Sequence, residues 1–395
     1  MPPLRFPEFT EEWEKQRLNE YLEENKTRNT KGLFSKKDVL SVSGDYGIVN
    51  QIDLLGRSFA GVSVANYHVV RKGDIVYTKS PLKEYPYGIV KSNKGADGIV
   101  STLYAVYETK SNTISNFVEY YFALASRTNK YFKPIVRIGA KHDMKIGNDE
   151  VLDNFVSFPK LDEQRKISEF LSLIEKRIAL QTKIIEKYKS LIKGIIYQVK
   201  TNGLRYDTWQ KTELRNVLEE RNEKNIKGCD VYSVSVIEGV VNQIEYLGRS
   251  FAAKNTLQYN VVKYGDIVYT RSPTGDFPYG IVKRSNVRCD VAVSPLYGVY
   301  KPVNDYLGVI IHFYFMQPNN ALNYLHPLVQ KGAKNTINIT NRRFLENTIP
   351  LPKAIDEAKR LACILISIQS KIVLEQDFLH SYQKQKQYLL RQMFI

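Results

Sequence analysis

The chain is written twice at the scale of a domain. Gly47–Ala60 (GIVNQIDLLGRSFA) returns as Gly239–Ala252 (GVVNQIEYLGRSFA), and Lys72–Pro81 (KGDIVYTKSP) returns as Tyr264–Pro273 (YGDIVYTRSP). Pro86–Lys91 recurs as Pro278–Lys283, Val100–Tyr107 as Val293–Tyr300, and Gly139–Lys141 as Gly332–Lys334. The offset holds at about 193 residues throughout. Solenoids repeat every ~20–50 residues, because each repeat is one small supersecondary unit. A period this long instead repeats a whole domain, so one folding plan must be executed twice.

Charge narrows the partners. Lys and Arg number 57 against 41 Asp and Glu, a net charge of +16. Such an excess favours a polyanion. With 27 tyrosines available for stacking or hydroxyl contacts, nucleic acid fits better than a merely solvated basic surface. Two similar basic domains suggest a molecule that reads two similar sites on one polymer. Hydrophobic residues make up 43%, enough for real cores. No apolar run approaches the ~18 residues of a membrane span. The first residues, MPPLRFPEFTEEWEK, lack a charged-then-apolar export pattern. Three cysteines, Cys229, Cys289 and Cys363, have neither disulfide-framework nor zinc spacing, so a reducing, cytoplasmic setting is expected.

Each copy reads in three parts. Trp13–Asn25 and Trp209–Asn222 carry Trp, Leu and Leu at matching spacings (Trp13, Leu18, Leu22; Trp209, Leu214, Leu218), which predicts a short amphipathic helix. A β-rich middle follows. Strands are predicted at Asp38–Ser43, Gly47–Gln51, Asp74–Thr78, Gly88–Lys91 and Leu103–Tyr107. Their repeats are Val231–Val236, Val240–Gln243, Asp266–Thr270, Gly280–Lys283 and Leu296–Tyr300, with a helix after each set at Ser115–Ser126 and Tyr306–Met316.

The third part is a long helix. Ile167, Leu171, Ile174, Ile178, Gln181, Ile185, Tyr188, Ile192, Ile195 and Val199 step by three and four. Leu361, Leu365, Ile368, Ile372, Glu375, Leu379, Tyr382, Lys386, Leu389 and Met393 do the same. Each seam is heptad-like with a polar break, Gln181 and Glu375, at a matching position. Neither stripe is stable exposed, so the two helices are expected to pair antiparallel around a pseudo-twofold axis, with Gln181 facing Glu375. The paired stretch is about 33 residues, or ~50 Å at ~1.5 Å per residue. That length covers ~15 base pairs at ~3.4 Å each. The resulting fold class is α+β: two pseudo-symmetric β-rich domains separated by two long helices forming an antiparallel coiled coil. The expected domains are 1–158 and 202–351, with helices at 159–201 and 352–395.

Catalytic signatures are missing. There is no GxxxxGK[ST] phosphate loop and no GxGxxG after a strand. The five histidines (His68, His142, His312, His326, His380) are isolated, and no HExxH occurs. The best acidic cluster, Asp149, Glu150 and Asp153, is replaced in the second copy by Arg342, Arg343 and Glu346. Ser294-Pro295-Leu296-Tyr297 approaches an adenine-methyltransferase tetrapeptide, but its repeat Ser101-Thr102-Leu103-Tyr104 lacks the proline, and strand is the better reading. No catalytic residue and no metal ligand is assigned.

Taken together, the paired Trp starts, the GDIVYT strands (Gly73–Thr78, Gly265–Thr270), the glycine-basic segments (Gly139–Lys141, Gly332–Lys334) and the helix junctions FPKLDEQRKI (Phe158–Ile167) and LPKAIDEAKRL (Leu351–Leu361) resemble the specificity subunits of type I restriction-modification systems. The resemblance spans essentially the whole chain. It departs at Ala358, where the first copy has Gln164. It implies a non-catalytic subunit that reads a bipartite duplex-DNA site. It also implies two methyltransferase subunits as partners, joined by two motor-nuclease subunits in the full complex. S-adenosylmethionine, ATP and magnesium would then belong to those partners, with no cofactor on this chain. Two other classes stay open: a single-chain restriction enzyme or methyltransferase with its own reading domains, and a non-catalytic RNA-binding scaffold.

Base edges and phosphates are contacted by polar and basic side chains on loops. In the first copy the candidates are Arg57, Ser58, Lys79, Ser80, Lys83, Tyr85 and Tyr87, with Lys141, His142 and Lys145. In the second they are Arg249, Ser250, Arg271, Ser272, Thr274, Phe277 and Tyr279, with Lys334, Asn335, Asn338, Arg342 and Arg343. Arg57 and Arg249 have an alternative as structural ion pairs. Positions that match between copies should build the fold or hold phosphate. Positions that differ within matching loops, Lys83–Tyr85 against Gly275–Phe277 and His142–Lys145 against Asn335–Asn338, should set the bases read.

Overall fold

The computed structural model describes residues 1–138, 144–331 and 337–395. The chain divides into two units, Met1–Gln181 with Phe378–Ile395, and Thr182–Asp377. Each unit holds one copy of the repeat and half of each long helix.

In the first copy the elements are β1 (Glu14–Arg17), β2 (Leu22–Glu24), β3 (Leu40–Ser43), β4 (Gly47–Asn50), α1 (Gln51–Leu55), β5 (His68–Val70), β6 (Ile75–Thr78), β7 (Val90–Ser92), β8 (Gly98–Val100) and β9 (Tyr104–Thr109). Then come α2 (Ser115–Tyr121), α3 (Ala125–Phe132), β10 (Arg137–Ile138), β11 (Met144–Lys145), β12 (Phe155–Phe158) and the long α4 (Leu161–Arg205). The second copy repeats the series as β13 (Trp209–Glu213), β14 (Leu218–Glu220), β15 (Tyr232–Ser235), β16 (Gly239–Asn242), α5 (Gln243–Leu247), β17 (Asn260–Val262), β18 (Ile267–Thr270), β19 (Ile281–Arg284), β20 (Val291–Val293) and β21 (Gly298–Pro302). It ends with α6 (Asp305–Phe315), α7 (Pro318–Leu325), β22 (Gln330–Lys331), β23 (Ile337–Asn338), α8 (Asn341–Phe344), β24 (Thr348–Pro352) and α9 (Ile355–Gln392).

A four-stranded antiparallel sheet lies at the centre of each copy, ordered β2-β9-β6-β7 and β14-β21-β18-β19. Both faces are covered, so the GDIVYT strand is a continuous apolar run rather than an alternating one. Ile75, Tyr77, Ala105 and Tyr107 face a large core with Phe117, Phe132 and Phe158. Val76 and Val106 face a smaller core with Leu40, Ile48, Val70 and Val100. In the second unit Val268 and Val299 join Val240, Val262, Val291 and Val293 in the equivalent small core. On the other face Tyr269 and Tyr300 stack on Phe344 at 4.6 and 4.9 Å.

The short helices expected at Trp13–Asn25 and Trp209–Asn222 are instead strand, 3-10 turn, strand. The leucines do share one buried side: Leu18 and Leu22 are both 2% exposed. The backbone groups, however, find partners far away. β1 pairs with β12 and β13 with β24, while β2 and β14 join the central sheets. A segment this short has too little helical propensity to resist those ladders. The helix expected at Ser115–Ser126 is also split, into α2 and α3. The other expected strands and the helix near Tyr306–Met316 form with ends displaced by a few residues.

The long helices pack together antiparallel, with local contacts described in each unit. In the first, Ile167 and Leu171 of α4 share a core with Leu389 and Leu390 of α9 and with Met393 and Phe394 just beyond it. Further along, Glu175 meets Lys386 at 2.7 Å and Arg177 lies over Tyr382. In the second, the indole N–H of Trp209 donates to Glu357 in the first turn of α9 at 2.6 Å. Gly203 near the end of α4 leaves room for that indole, since a Cβ there would sit 2.1 Å from the ring. Trp13 has the same partner type in the first unit, Glu163 at 3.3 Å, whose carboxylate also receives Arg5. The buried Gln164 beside it receives Thr113 Oγ1 and the Ile114 N–H, and donates to the Asn112 and Pro159 carbonyls. It thereby caps α2, which has no side-chain cap of its own. The second copy dispenses with that glutamine because Asn304 caps α6 directly. Ala358 is therefore a local substitution of one cap for another.

Candidate nucleic-acid interface

The longest repeated motif builds a rigid exposed hook. Asn50 ends β4 and caps α1 by accepting from the Ile52 and Asp53 N–H groups. Gly56 closes the helix in the left-handed region, at φ 74°. The chain then folds back, and the Phe59 N–H donates to Gln51 Oε1 at 2.6 Å. Asn242, Gly248 and Gln243 do the same in the second copy, where the Phe251 N–H reaches Gln243 at 2.7 Å. The exposed guanidinium of Arg57 lies 4.6 Å from the Phe59 ring, and that of Arg249 lies 4.5 Å from Phe251. These arginines stack on an aromatic ring, and among the described residues neither forms the alternative ion pair. Ser58 and Ser250 are part of the hook: each oxygen accepts from the N–H two residues on, at Ala60 and Ala252.

A second repeated device lies at the end of the GDIVYT strand. Lys79 Nζ donates to the Ile146 carbonyl at 2.8 Å and to Asn148 Oδ1 at 2.7 Å, and Asn148 donates to Glu24 at 2.7 Å. Burial holds the Lys79 ammonium below its usual pKa, offset by Glu24, Glu150 and Asp149. In the second copy Arg271 donates to the Ile339 carbonyl at 2.6 Å, to the Leu296 carbonyl at 2.7 Å and to Asn341. Asn341 in turn donates to Glu220 at 2.6 Å. Tyr107 and Tyr300 complete the latch by donating to the backbone carbonyls of Asn148 and Asn341. Lys79 and Arg271 thus tie the strand end to the protein through two and three contacts respectively, which leaves each half-buried.

The latch grips the returning strand of a small ribbon. β10 pairs with β11 in register Arg137↔Lys145, and β22 pairs with β23 in register Gln330↔Asn338. Lys145 and Asn338 are exposed, as are Arg137 and Gln330, which the sequence reading did not single out. Lys141, His142, Lys334 and Asn335 lie outside the described residues, as do the glycine-basic segments that contain them.

The remaining candidates separate by exposure. Ser80 and Lys83 are exposed on the turn after β6, and Ser272 and Thr274 after β18. Tyr85 is half-buried and its hydroxyl donates to the Ala123 carbonyl at 2.7 Å. Phe277, only 7% exposed, is a core residue rather than a reader. Tyr87 packs on the main core, and Tyr279 lies beside His326. Arg342 is exposed on α8, whereas Arg343 donates through Nε to the Leu328 carbonyl at 2.8 Å. Gln181 is buried and Glu375 half-buried on their helices. Among the described residues no His, Cys, Asp and Glu cluster could hold a metal ion, and no helix is long and apolar enough to cross a membrane.

Residues 10–189 match the type I restriction modification DNA specificity domain. The S subunit of a type I restriction-modification system from M. genitalium has the same fold, with a TM-score of 0.61 at 11% identity over 100% of this chain and 99% of that one. The HsdS subunit from Thermoanaerobacter tengcongensis aligns at 14% identity and a TM-score of 0.39 over 97% and 96% of the two chains. A structure on complex assembly and conformational transition of the type I R-M system aligns at 14% identity and 0.48 over 96% of each. Residues 10–189 thus match a type I restriction modification DNA specificity domain, and the sequence repeat, with its hook, latch and ribbon, carries the same plan through the second half of the chain.

Proposed function

We propose that this protein reads a bipartite duplex-DNA site, one half through domain 1–158 and the other through domain 202–351. The observation that carries this reading is the pairing of fixed anchors with variable exposed positions. Hook and latch keep their contacts in both copies, with Lys79 exchanged for Arg271, while the exposed ribbon pair differs. Two copies of one scaffold with different exposed chemistry suit two related half-sites that need not be identical. The net charge of +16 supplies the phosphate attraction that a DNA reader needs.

The long helices, 159–201 and 352–395, set the spacer and dock two methyltransferase subunits. Two motor-nuclease subunits join these in the full restriction complex, and S-adenosylmethionine, ATP and magnesium act there. Gln181, buried on α4, and Glu375, half-buried on α9, are the polar breaks of the two seams, and a polar residue in such a seam fixes register at some cost in stability. Deleting one heptad from each helix tests the reading. The half-sites selected by the complex should stay the same while the permitted spacer changes or binding is lost. An unchanged spacer in a folded, binding variant would refute it.

A further inference from the structure

The two ribbons differ at one register in a way that has chemical meaning. Residues directly opposite on antiparallel strands project from the same face, with Cβ atoms ~4.5–5.5 Å apart. In the first copy that pair is Arg137 and Lys145, both exposed. In the second copy it is Gln330 and Asn338, also exposed. The offset is the same for both members, so these are equivalent positions in the repeat.

Two like charges directly opposite destabilise a ribbon. Among the described residues neither Arg137 nor Lys145 has an ion-pair partner. Of the carboxylates nearby, Glu150 accepts from the Gly147 N–H at 2.8 Å, and Glu24 from Asn148. An electron-rich partner from outside the domain would relieve that repulsion. In the second copy the same positions carry amides, which both donate and accept.

Both pairs are held close to a fixed point. Lys79 grips the carbonyl of Ile146, the residue after Lys145. Arg271 grips the carbonyl of Ile339, the residue after Asn338. The backbone beside each reading position is pinned by a homologous cation, so the side chains differ while their mounting does not. Pinning of this kind is what base readout needs, since a site loosened by ~1 Å loses discrimination. A two-stranded ribbon also fits the major groove.

Building on the proposed reading of bipartite DNA, we propose that these ribbon pairs read bases of opposite type in the two half-sites. Arg137 and Lys145 donate to the O6 and N7 acceptors of guanine in the half-site of the first domain. Gln330 and Asn338 pair with the N6 donor and N7 acceptor of adenine in the half-site of the second.

The test uses the full chain assembled with its methyltransferase subunits and a pool of randomised DNA duplexes. In one variant Arg137→Gln and Lys145→Asn give the first ribbon the chemistry of the second. In the other, Gln330→Arg and Asn338→Lys do the reverse. The first should convert a G·C preference to A·T at one or two positions of one half-site, by about 5- to 150-fold, and leave the other half-site unchanged. The second should do the converse in the other half-site. Retained binding with both half-site sequences unchanged would overturn the inference. So would a loss uniform across sequences with a salt slope lowered by about one per charge, which would make the first pair a phosphate clamp. In either case the wild-type complex would still select its bipartite site, leaving the proposed function standing. A wild-type complex that selects no bipartite sequence would overturn both.

Discussion

Arg271 is the position where an anchor and a base reader are most easily confused, and substitution separates the roles. Its guanidinium makes three contacts, of which those to the Ile339 carbonyl and Asn341 are shielded and that to the Leu296 carbonyl is exposed. A hydrogen bond from a charged donor contributes ~1.5–3 kcal/mol. Two shielded bonds would give ~3–6 kcal/mol, but Arg271 is half-exposed and water replaces part of the loss, so Arg271→Ala should cost about 2–4 kcal/mol. For a unit this size that lowers its melting transition by roughly 4–16 °C. Arg271→Lys should cost only about 1 kcal/mol, because Lys79 does the same work in the first copy with two contacts. Hydrogen exchange read by peptide localises the effect: β18, β23 and α8 should lose protection in Arg271→Ala, with the first unit unaffected. The DNA sequence selected by Arg271→Lys should be unchanged. A changed base preference without loss of stability would refute the anchoring role and restore Arg271 as a reader.

Two further outcomes follow from buried groups. Gln164→Ala should destabilise the first unit by about 2–4 kcal/mol in urea unfolding, because it strands the Ile114 N–H and the Asn112 and Pro159 carbonyls; Ala358→Gln should not stabilise the second unit, where Asn304 already caps α6. His312 is half-buried and accepts from the Arg284 N–H, and desolvation, with Lys283 and Arg284 nearby, pushes its pKa down to about 3. It stays neutral when folded, so its contribution is complete above ~6.5 and is lost as pH falls toward 3, by at most about 5 kcal/mol. His312→Gln should flatten this acid limb in denaturation measured between pH 7 and pH 4; an unchanged pH dependence would exclude His312 as its source.

The sequence made the repeat, the apolar central strands and the helical seams legible because each is a local pattern. It misread Trp13–Asn25, where leucines four apart suit a helix but the backbone partners lie on β12 and β9, far along the chain. Lys79 and Arg271 were DNA-binding candidates as basic residues just after a strand, and their contacts within the domain were not foreseen. Their acceptors lie 67 and 68 residues away, and no local pattern reveals them. Phe277 was misjudged for the same reason, since a turn position in sequence is a core position in space. Arg137 and Gln330, proposed above as readers, did not stand out because two-residue strands leave no periodicity. Their signal was present in the alignment of the two copies, as a paired exchange of Arg for Gln and Lys for Asn at one offset.

The central claim is that one scaffold, used twice, reads two halves of one DNA site. Mapping modified bases genome-wide, in cells that carry this chain with its partner subunits, tests it most directly. The account predicts modification confined to two short defined sequences separated by an unread spacer of constant length. It also predicts that replacing the domain at 202–351 alters only one of the two. Modification at a single uninterrupted sequence, or a change in both halves on replacing one domain, would contradict it.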